Sequence, residues 1–337
     1  MIEVNFADIF LTEHRYYYFS ILNNQSSGKI YGIPKAKEDR FEEKLYAERN
    51  LNLILKGLDD SRFKLDDCPY WASKMPYEHA ENIINVFNCR KRLLDIINNP
   101  KTELERNAVK FVDIISKVSG VKKKYFGVTG SLCIGKERPN SDIDITIYGI
   151  NNIKLINDII TELKGENKLQ TPHEGLSWHV KGPFKDFFYI NSSNNNFTYS
   201  ELLRKSRRFN FKILWNNRKI DLYFLDKDNF DQFPEIDKKL LYEDIVINGS
   251  VIDDKKSILL PSIFTLSDIV IKGSHEIDII PKTIDILSLI NTARLVRKGD
   301  RIEIKGNLLQ STNNDKGLVL VDTNLHYVRL IDSLTTL

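Results

Sequence analysis

The spacing of apolar residues changes several times along this chain, and each change predicts a different kind of element. Near the N-terminus, aromatic and β-branched runs over residues 15–22 and 29–33 are separated by turn-forming residues 23–28, which predicts a small antiparallel β-meander. Residues 78–98 carry apolar positions at helical spacing and are predicted to be helical. Residues 36–75 are charged and mixed and show no clear period.

A second helix is predicted over residues 102–118, where an apolar stripe runs at helical spacing. Thr102 and Glu105 have the spacing of a capping box at its start, and Gly120 marks its end. The chain then enters a short predicted strand, residues 124–129.

One further strand, a helix and a hairpin follow in the middle of the chain. The strand is predicted over residues 142–148, the helix over 153–163, and the hairpin over 211–215 and 218–224. Two adjacent asparagines lie between the hairpin strands, and they suit the positive φ angles of a two-residue turn.

Beyond residue 231 the pattern becomes one of short apolar strands separated by turns, which predicts a β-barrel or a β-sandwich. The predicted fold class is therefore α+β, in three domains. These are a β-meander with a helical linker over residues 1–100, a mixed sheet with flanking helices over 101–230, and a β-rich domain over 231–337.

Two carboxylates follow a small-residue turn in the middle of the chain. The turn is Gly130-Ser131, and after a short polar loop the next strand begins with Asp142-Ile143-Asp144. Alternate side chains of a strand share a face, so Asp142 and Asp144 are expected to point the same way, away from the core. Two ionised carboxylates this close repel each other unless a cation lies between them, and oxygen ligands favour Mg²⁺ or Mn²⁺.

A third carboxylate, Asp221, lies on the second hairpin strand and is expected to face away from its buried apolar neighbours. If the hairpin pairs beside the strand of Asp142 and Asp144, the three carboxylates converge. Such a trio can hold two metal ions that stabilise an in-line displacement. Asp226, at the distal end of the same strand, is a poorer match for the third position.

Phosphate-binding groups are predicted in the segment that comes just before Asp142 and Asp144. Gly130 lets the backbone approach a phosphate closely, and Ser131 can donate hydrogen bonds to its oxygens. Lys136 and Arg138 lie between the turn and the carboxylates, where they can neutralise phosphate charge.

A basic segment, residues 204–219, contains seven cationic side chains and no acid, with aromatic residues interleaved. The cationic residues are Arg204, Lys205, Arg207, Arg208, Lys212, Arg218 and Lys219. One interpretation is a patch that binds a triphosphate or the backbone of an RNA. The other is a solvated hairpin whose aromatic residues belong to the core.

The order of these residues resembles the DNA polymerase β-like nucleotidyltransferase superfamily: Gly-Ser, ten intervening residues, Asp-x-Asp, and a third Asp on a later strand. Residues 127–131, 141–144 and 148–149 resemble more narrowly a group of archaeal predicted nucleotidyltransferases with β-rich ends. The strong part of the resemblance covers residues 124–149 and 218–225.

The resemblance implies a mixed-sheet nucleotidyltransferase core in the central domain, a triphosphate held at Ser131, and Mg²⁺ or Mn²⁺ on Asp142, Asp144 and Asp221. It also implies that Asp221 is a general base or a metal ligand on the acceptor side. The expected reaction moves a nucleoside monophosphate from a nucleoside triphosphate to an acceptor hydroxyl and releases pyrophosphate. The acceptor stays open between an RNA 3′ end and a small molecule or protein, and a non-catalytic nucleotide- or RNA-binding protein is the alternative.

The composition is that of an ordinary globular protein, with 337 residues, 42% of them hydrophobic, and a net charge of +3 that does not require a nucleic-acid partner. No apolar run approaches the ~20 residues that span a bilayer, and residues 1–8 lack the features of a secretory signal. Cys68, Cys89 and Cys133 are scattered, so they are expected to be reduced thiols of a cytoplasmic protein.

Overall fold

The computed structural model describes residues 3–24, 27–40, 63–67, 74–166, 168–170, 210–226, 240–272, 281–288, 291–309, 316–321 and 326–333. These residues form three β-sheets and four α-helices, which confirms the α+β class. None of the helices among them is long and apolar enough to cross a membrane.

The first sheet is antiparallel and contains the predicted β-meander. Its strands are β1 (Ile9–Thr12), β2 (Tyr16–Asn24), β3 (Lys29–Lys37), β4 (Lys64–Asp67), β5 (Lys74–His79) and β6 (Ile83–Phe87). They lie in the order β4-β5-β3-β2-β1-β6.

The prediction of a helix over residues 78–98 is wrong for the first half of that range. Residues 83–87 form strand β6, which pairs with β1, because this run of mostly β-branched and aromatic residues suits a strand edge as well as a helix face. The helix begins only after Asn88, whose side-chain oxygen accepts a hydrogen bond from the backbone N–H of Lys91 at 3.0 Å.

The central sheet is mixed and is flanked by helices. Its strands are β7 (Phe126–Val128), β8 (Ile143–Tyr148), β9 (Lys212–Trp215) and β10 (Arg218–Leu225), and its helices are α1 (Cys89–Asn98), α2 (Glu103–Ser119), α3 (Gly130–Ile134) and α4 (Ile150–Gly165). The strand order is β7-β8-β10-β9, in which only β8 and β10 run parallel. Helices α1, α2 and α4 cover one face with apolar side chains that form a single core with the strands.

Two local predictions in this part are confirmed. Thr102 and Glu105 form a complete capping box at the start of α2, and Gly120 ends that helix with φ of 72°. The hairpin turn places Asn216 and Asn217 at φ of 48° and 58°, which is the geometry of a two-residue turn between strands.

The third sheet closes into a five-stranded barrel, so the barrel alternative is confirmed over the sandwich. Its strands are β11 (Leu240–Lys256), β12 (Ser262–Lys272), β13 (Thr283–Ser288), β14 (Asp300–Leu309), β15 (Lys316–Val321) and β16 (Tyr327–Ser333). The order around the barrel is β11-β12-β13-β15-β14, with β14 pairing back to β11 and β16 added beside β14. Strands β13 and β15 are parallel, and a 3-10 helix, Asn291–Leu295, lies between β13 and β14 in sequence.

A shared apolar core joins the three sheets and leaves one end of the central sheet open. Tyr148 and Leu225, at the C-terminal ends of β8 and β10, are buried in a core that also contains Phe19 of β2 and Leu287 of β13. On this face of β8, Thr146 and Tyr148 are buried, whereas Asp144, near the N-terminal end of the strand, is partly exposed. The predicted carboxylates lie at that end.

Candidate active site

Asp144 and Asp221 lie side by side on the two parallel strands of the central sheet. The β8–β10 register pairs Asp144 with Asp221 directly, and neighbouring strands lie about 5 Å apart. The condition that the sequence analysis set for the carboxylates to converge, namely that the hairpin pairs beside the Asp-x-Asp strand, is therefore met. Asp226 lies five residues after Asp221, just beyond the end of β10 and roughly 16 Å away, and contacts Lys256 instead.

Asp142 joins this pair from the residue that precedes β8. Its side chain is 39% exposed, whereas that of Asp221 is 6% exposed, so the cluster runs from solvent into the protein. Ile143 and Ile145 are fully buried on the opposite face, as strand alternation predicts. We refer to Asp142, Asp144 and Asp221 as the acid cluster.

The Gly130-Ser131 turn lies directly against the acid cluster. The backbone N–H of Thr129 donates to the carbonyl oxygen of Asp144 at 3.0 Å, and Gly130 then turns away with φ of 65° into α3. A Cβ atom on Gly130 would overlap the side-chain carboxylate of Asp144. A glycine is therefore required here both by the backbone angle and by the closeness of the carboxylate.

The turn is fixed by contacts with the segment that precedes β1 and with α1. The hydroxyl of Thr129 donates to the carbonyl oxygen of Ala7 at 2.7 Å. Arg92 of α1 donates to the carbonyl oxygen of Leu132 at 3.2 Å and pairs with the buried Glu105 at 2.6 Å. These contacts join three parts of the chain at the turn, and no sequence pattern indicated them.

Two lysines of the hairpin contact the acid cluster. Lys212 Nζ lies 2.6 Å from Asp221 Oδ2, and both side chains are almost completely buried. Lys219 Nζ lies 2.5 Å from Asp142 Oδ2 and 3.3 Å from Asp221 Oδ2. The acid cluster is therefore neutralised in large part by side chains of the same hairpin.

Burial and crowding of like charges set the protonation of Asp144. Its pKa is raised from 3.8 to about 7, first by burial and then by the negative charges of Asp221 and Asp142, while Lys219 and Lys212 act in the opposite direction. For Lys219, burial lowers the pKa, but Asp221 and Asp142 outweigh it, so its pKa is raised and it stays charged at neutral pH.

The other predicted cations are placed differently. Lys136 and Arg138 have exposed side chains on the loop that joins α3 to β8. Arg204, Lys205, Arg207 and Arg208 lie outside the described residues. Arg218 donates to the carbonyl oxygen of Pro139. In the described part of the basic segment, Lys212 and Lys219 thus face carboxylates.

The sequence contained a signal that places Lys212 and Lys219 beside Asp221. A two-residue turn at Asn216-Asn217 fixes the hairpin register, which pairs Asp221 with Lys212, and Lys219 shares a strand face with Asp221 by alternation.

No sequence pattern indicated that Arg294 lies near the strand of Asp221, and only the tertiary structure places it there. Its buried side chain comes from the 3-10 helix between β13 and β14. Its Cζ lies 4.0 Å from the ring centroid of Phe211, and it donates a hydrogen bond at 3.2 Å to the carbonyl oxygen of Leu222, the residue after Asp221.

Within the described ranges, no group of three or more His, Cys, Asp or Glu side chains is arranged so that it could hold a metal ion. At the acid cluster, the ammonium groups of Lys212 and Lys219 contact the carboxylates. Cys89 and Cys133 are buried free thiols, and Cys68 lies outside the described residues.

In comparisons with family models, curated proteins and solved structures, none matches this chain.

Gly130→Ala is expected to lower any activity of this site by about a hundredfold, because the new Cβ displaces either the Asp144 carboxylate or the turn. The backbone strain adds a stability loss of roughly 1 kcal/mol. Gly28→Ala is the matched control, since Gly28 also has a positive φ, of 66°, but has open space around it. Equal losses of activity in the two variants would contradict this account.

The raised pKa of Asp144 predicts a pH dependence of stability. The folded protein holds a proton at Asp144 that the unfolded chain releases above its ordinary pKa of 3.8, so this stabilisation is complete below about pH 4 and is lost as pH rises through 7. Asp144→Asn cannot ionise. In EDTA, its free energy of unfolding relative to the wild type is expected to rise by on the order of 2 kcal/mol between pH 5 and pH 8. Urea denaturation measures this, and parallel pH profiles would exclude it.

Proposed function

We propose that this protein is a metal-dependent nucleotidyltransferase. The observation that supports this most directly is the pairing of Asp144 with Asp221 on adjacent parallel strands, with the Gly130 backbone against Asp144. A glycine-serine turn beside converging carboxylates is the arrangement that the resemblance to polymerase β-like enzymes implies. The proposal rests on this geometry and on that resemblance.

In the described structure the acid cluster is not arranged as a metal site, because its carboxylates contact the ammonium groups of Lys212 and Lys219. The chemistry of its donors nevertheless suits a hard divalent cation, provided that the carboxylates exchange an ammonium group for the metal. Its donors are carboxylate oxygens, which favour Mg²⁺ or Mn²⁺. One cation already lies between Asp142 and Asp221, namely the ammonium group of Lys219, so the position favours positive charge. Asp142, Asp144 and Asp221 would hold the metal, which would stabilise charge on the attacking and leaving oxygens.

The residues of the chain would then bind and orient the substrates. The backbone at Gly130 admits a phosphate group, and Ser131 can donate a hydrogen bond to it. The acceptor hydroxyl oxygen forms a bond to the α-phosphorus, and the bond from that phosphorus to pyrophosphate breaks. Asp221, on the acceptor side, is the candidate group for the hydroxyl proton.

RNA is the acceptor that the barrel favours. Its strand order, with the first strand pairing the fourth and the third parallel to the fifth, is that of oligonucleotide-binding Greek-key barrels. Strand order alone is a fold-level analogy. The acidic residues Asp268 and Asp285 on β12 and β13 do not attract a phosphate backbone, so charge gives this choice no support.

The test is pyrophosphate release from each nucleoside triphosphate with Mg²⁺ or Mn²⁺, with and without total cellular RNA. Release that requires RNA and weakens steeply as salt rises identifies a polynucleotide acceptor. Release that requires another acceptor, and depends little on salt, indicates a small molecule or protein. Binding of nucleotide with no release under any condition would replace the proposal with a non-catalytic nucleotide-binding protein.

A further inference from the structure

We propose that the ammonium group of Lys219 is the resident counter-cation of the acid cluster, that a divalent metal ion displaces it, and that the displaced side chain then binds the triphosphate. This inference rests on the proposed function. It concerns how the site passes from its metal-free to its substrate-bound form.

The two lysines of the acid cluster are placed differently. Lys212 comes from β9, pairs with Asp221 in the hairpin ladder, and has a side chain only 3% exposed. Lys219 has a side chain 12% exposed and bridges Asp221 to Asp142, which is itself 39% exposed. Lys219 can therefore move toward solvent past Asp142, whereas Lys212 would have to leave the protein interior. We infer that Lys212 is the permanent partner of Asp221 and that Lys219 is the exchangeable one.

Repulsion between a bound divalent ion and the two ammonium groups of the cluster requires one ammonium group to leave. Three carboxyl groups face two ammonium groups, so the cluster carries little net charge without a metal. A divalent ion on the same carboxylates would place three positive centres within a few ångströms of one another. Like charges 4 Å apart repel by about 4 kcal/mol at the effective dielectric of a protein surface, so the most accessible ammonium group leaves.

A displaced Lys219 remains tethered at the rim of the cluster, because its backbone is fixed in β10. From there its ammonium group can reach phosphate oxygens held at the Gly130 turn and the acid cluster. Metal binding and nucleotide binding are then coupled through one side chain, since the metal releases the lysine that the nucleotide uses.

Binding of Mn²⁺ alone, measured by the EPR signal of free Mn²⁺, tests the exchange. Lys219→Met removes the competing cation and is expected to bind Mn²⁺ about tenfold more tightly than the wild type. Lys256→Met is the matched control, because Lys256 pairs with Asp226 outside the cluster and its loss changes the net charge equally. Equal or weaker Mn²⁺ binding by Lys219→Met, or the same gain in Lys256→Met, would overturn the exchange.

Binding of the triphosphate by the displaced Lys219 is tested by isothermal titration calorimetry with α,β-methylene-ATP at saturating Mn²⁺. Lys219→Met is expected to bind this nucleotide about tenfold more weakly than the wild type, in contrast to its gain for Mn²⁺ alone. Unchanged nucleotide affinity would remove Lys219 from the triphosphate site.

The wild-type protein provides a readout that does not depend on the folding of a variant. Brief acetylation of lysines, followed by mass spectrometry, is expected to label Lys219 several-fold more in Mn²⁺ than in EDTA, while Lys212 stays protected. Unchanged labelling of Lys219 would contradict its release. Failure of the proposed function would appear separately, as absent pyrophosphate release in a protein that still shows the Mn²⁺ exchange.

Discussion

Replacing Asp142 or Asp144 by asparagine is expected to lower metal-dependent pyrophosphate release by about a thousandfold or more while the protein stays folded. Asparagine keeps the size of the side chain but removes the negative charge that a divalent cation requires. Loss of several kcal/mol of charge stabilisation corresponds to this factor, since each 1.36 kcal/mol of barrier changes the rate about tenfold. Initial rates with Mg²⁺ and with Mn²⁺, together with the thermal midpoint of each variant, measure the effect.

Asp226→Asn is the matched control for these two variants. Asp226 follows β10, the strand of Asp221, but pairs with Lys256 away from the cluster, so its replacement is expected to leave the rate within about twofold. Retained activity in both Asp142→Asn and Asp144→Asn would end the proposed mechanism. An equal loss in Asp226→Asn would mean that the effect comes from the fold and not from the cluster.

Lys212→Met is expected to destabilise the protein by about 3 kcal/mol, the largest stability effect that we predict. The substitution leaves the almost completely buried carboxylate of Asp221 without its closest cation, and an unpaired buried charge costs about 3–5 kcal/mol. Lys219, 3.3 Å from the same oxygen, limits the loss to the lower end of this range.

Urea denaturation of Lys212→Met and of the double variant Lys212→Met, Asp221→Asn measures this pair. Removing the charge of Asp221 as well is expected to restore most of the lost stability, because the remaining uncharged side chain is less costly to bury. A loss below about 1 kcal/mol in the single variant, or no recovery in the double variant, would show that the pair is not the stabilising unit inferred from its geometry.

Several elements of this fold could be predicted because neighbouring residues determine them. The capping box at Thr102 and Glu105 begins α2, and Gly120 ends it, through contacts within a few residues of sequence. The two asparagines of the hairpin turn adopt positive φ angles for a reason internal to the turn. Strand alternation predicted that Ile143 and Ile145 are buried in the core, as they are.

The secondary-structure prediction failed where the local sequence supported a helix and a strand about equally. Residues 83–87 have apolar positions that suit a helix face, but they form β6 because an unpaired edge of β1 lies beside them. The first sheet and the barrel were expected as separate β-rich ends. Their packing over the C-terminal halves of β8 and β10, through residues such as Phe19 and Leu287, depends on contacts between distant parts of the chain.

The sequence by itself pointed to Gly130, Ser131, Asp142 and Asp144 as candidate residues through spacing, strand alternation and turn chemistry, and to Asp221 on the condition that its strand pairs beside theirs. The tertiary structure decided what surrounds them. It pairs β8 with β10 and so brings Asp144 beside Asp221. It also buries the acid cluster deeply enough to raise the pKa of Asp144 to about 7. Burial and charge proximity depend on which distant segments meet, and no periodicity in a chain specifies that.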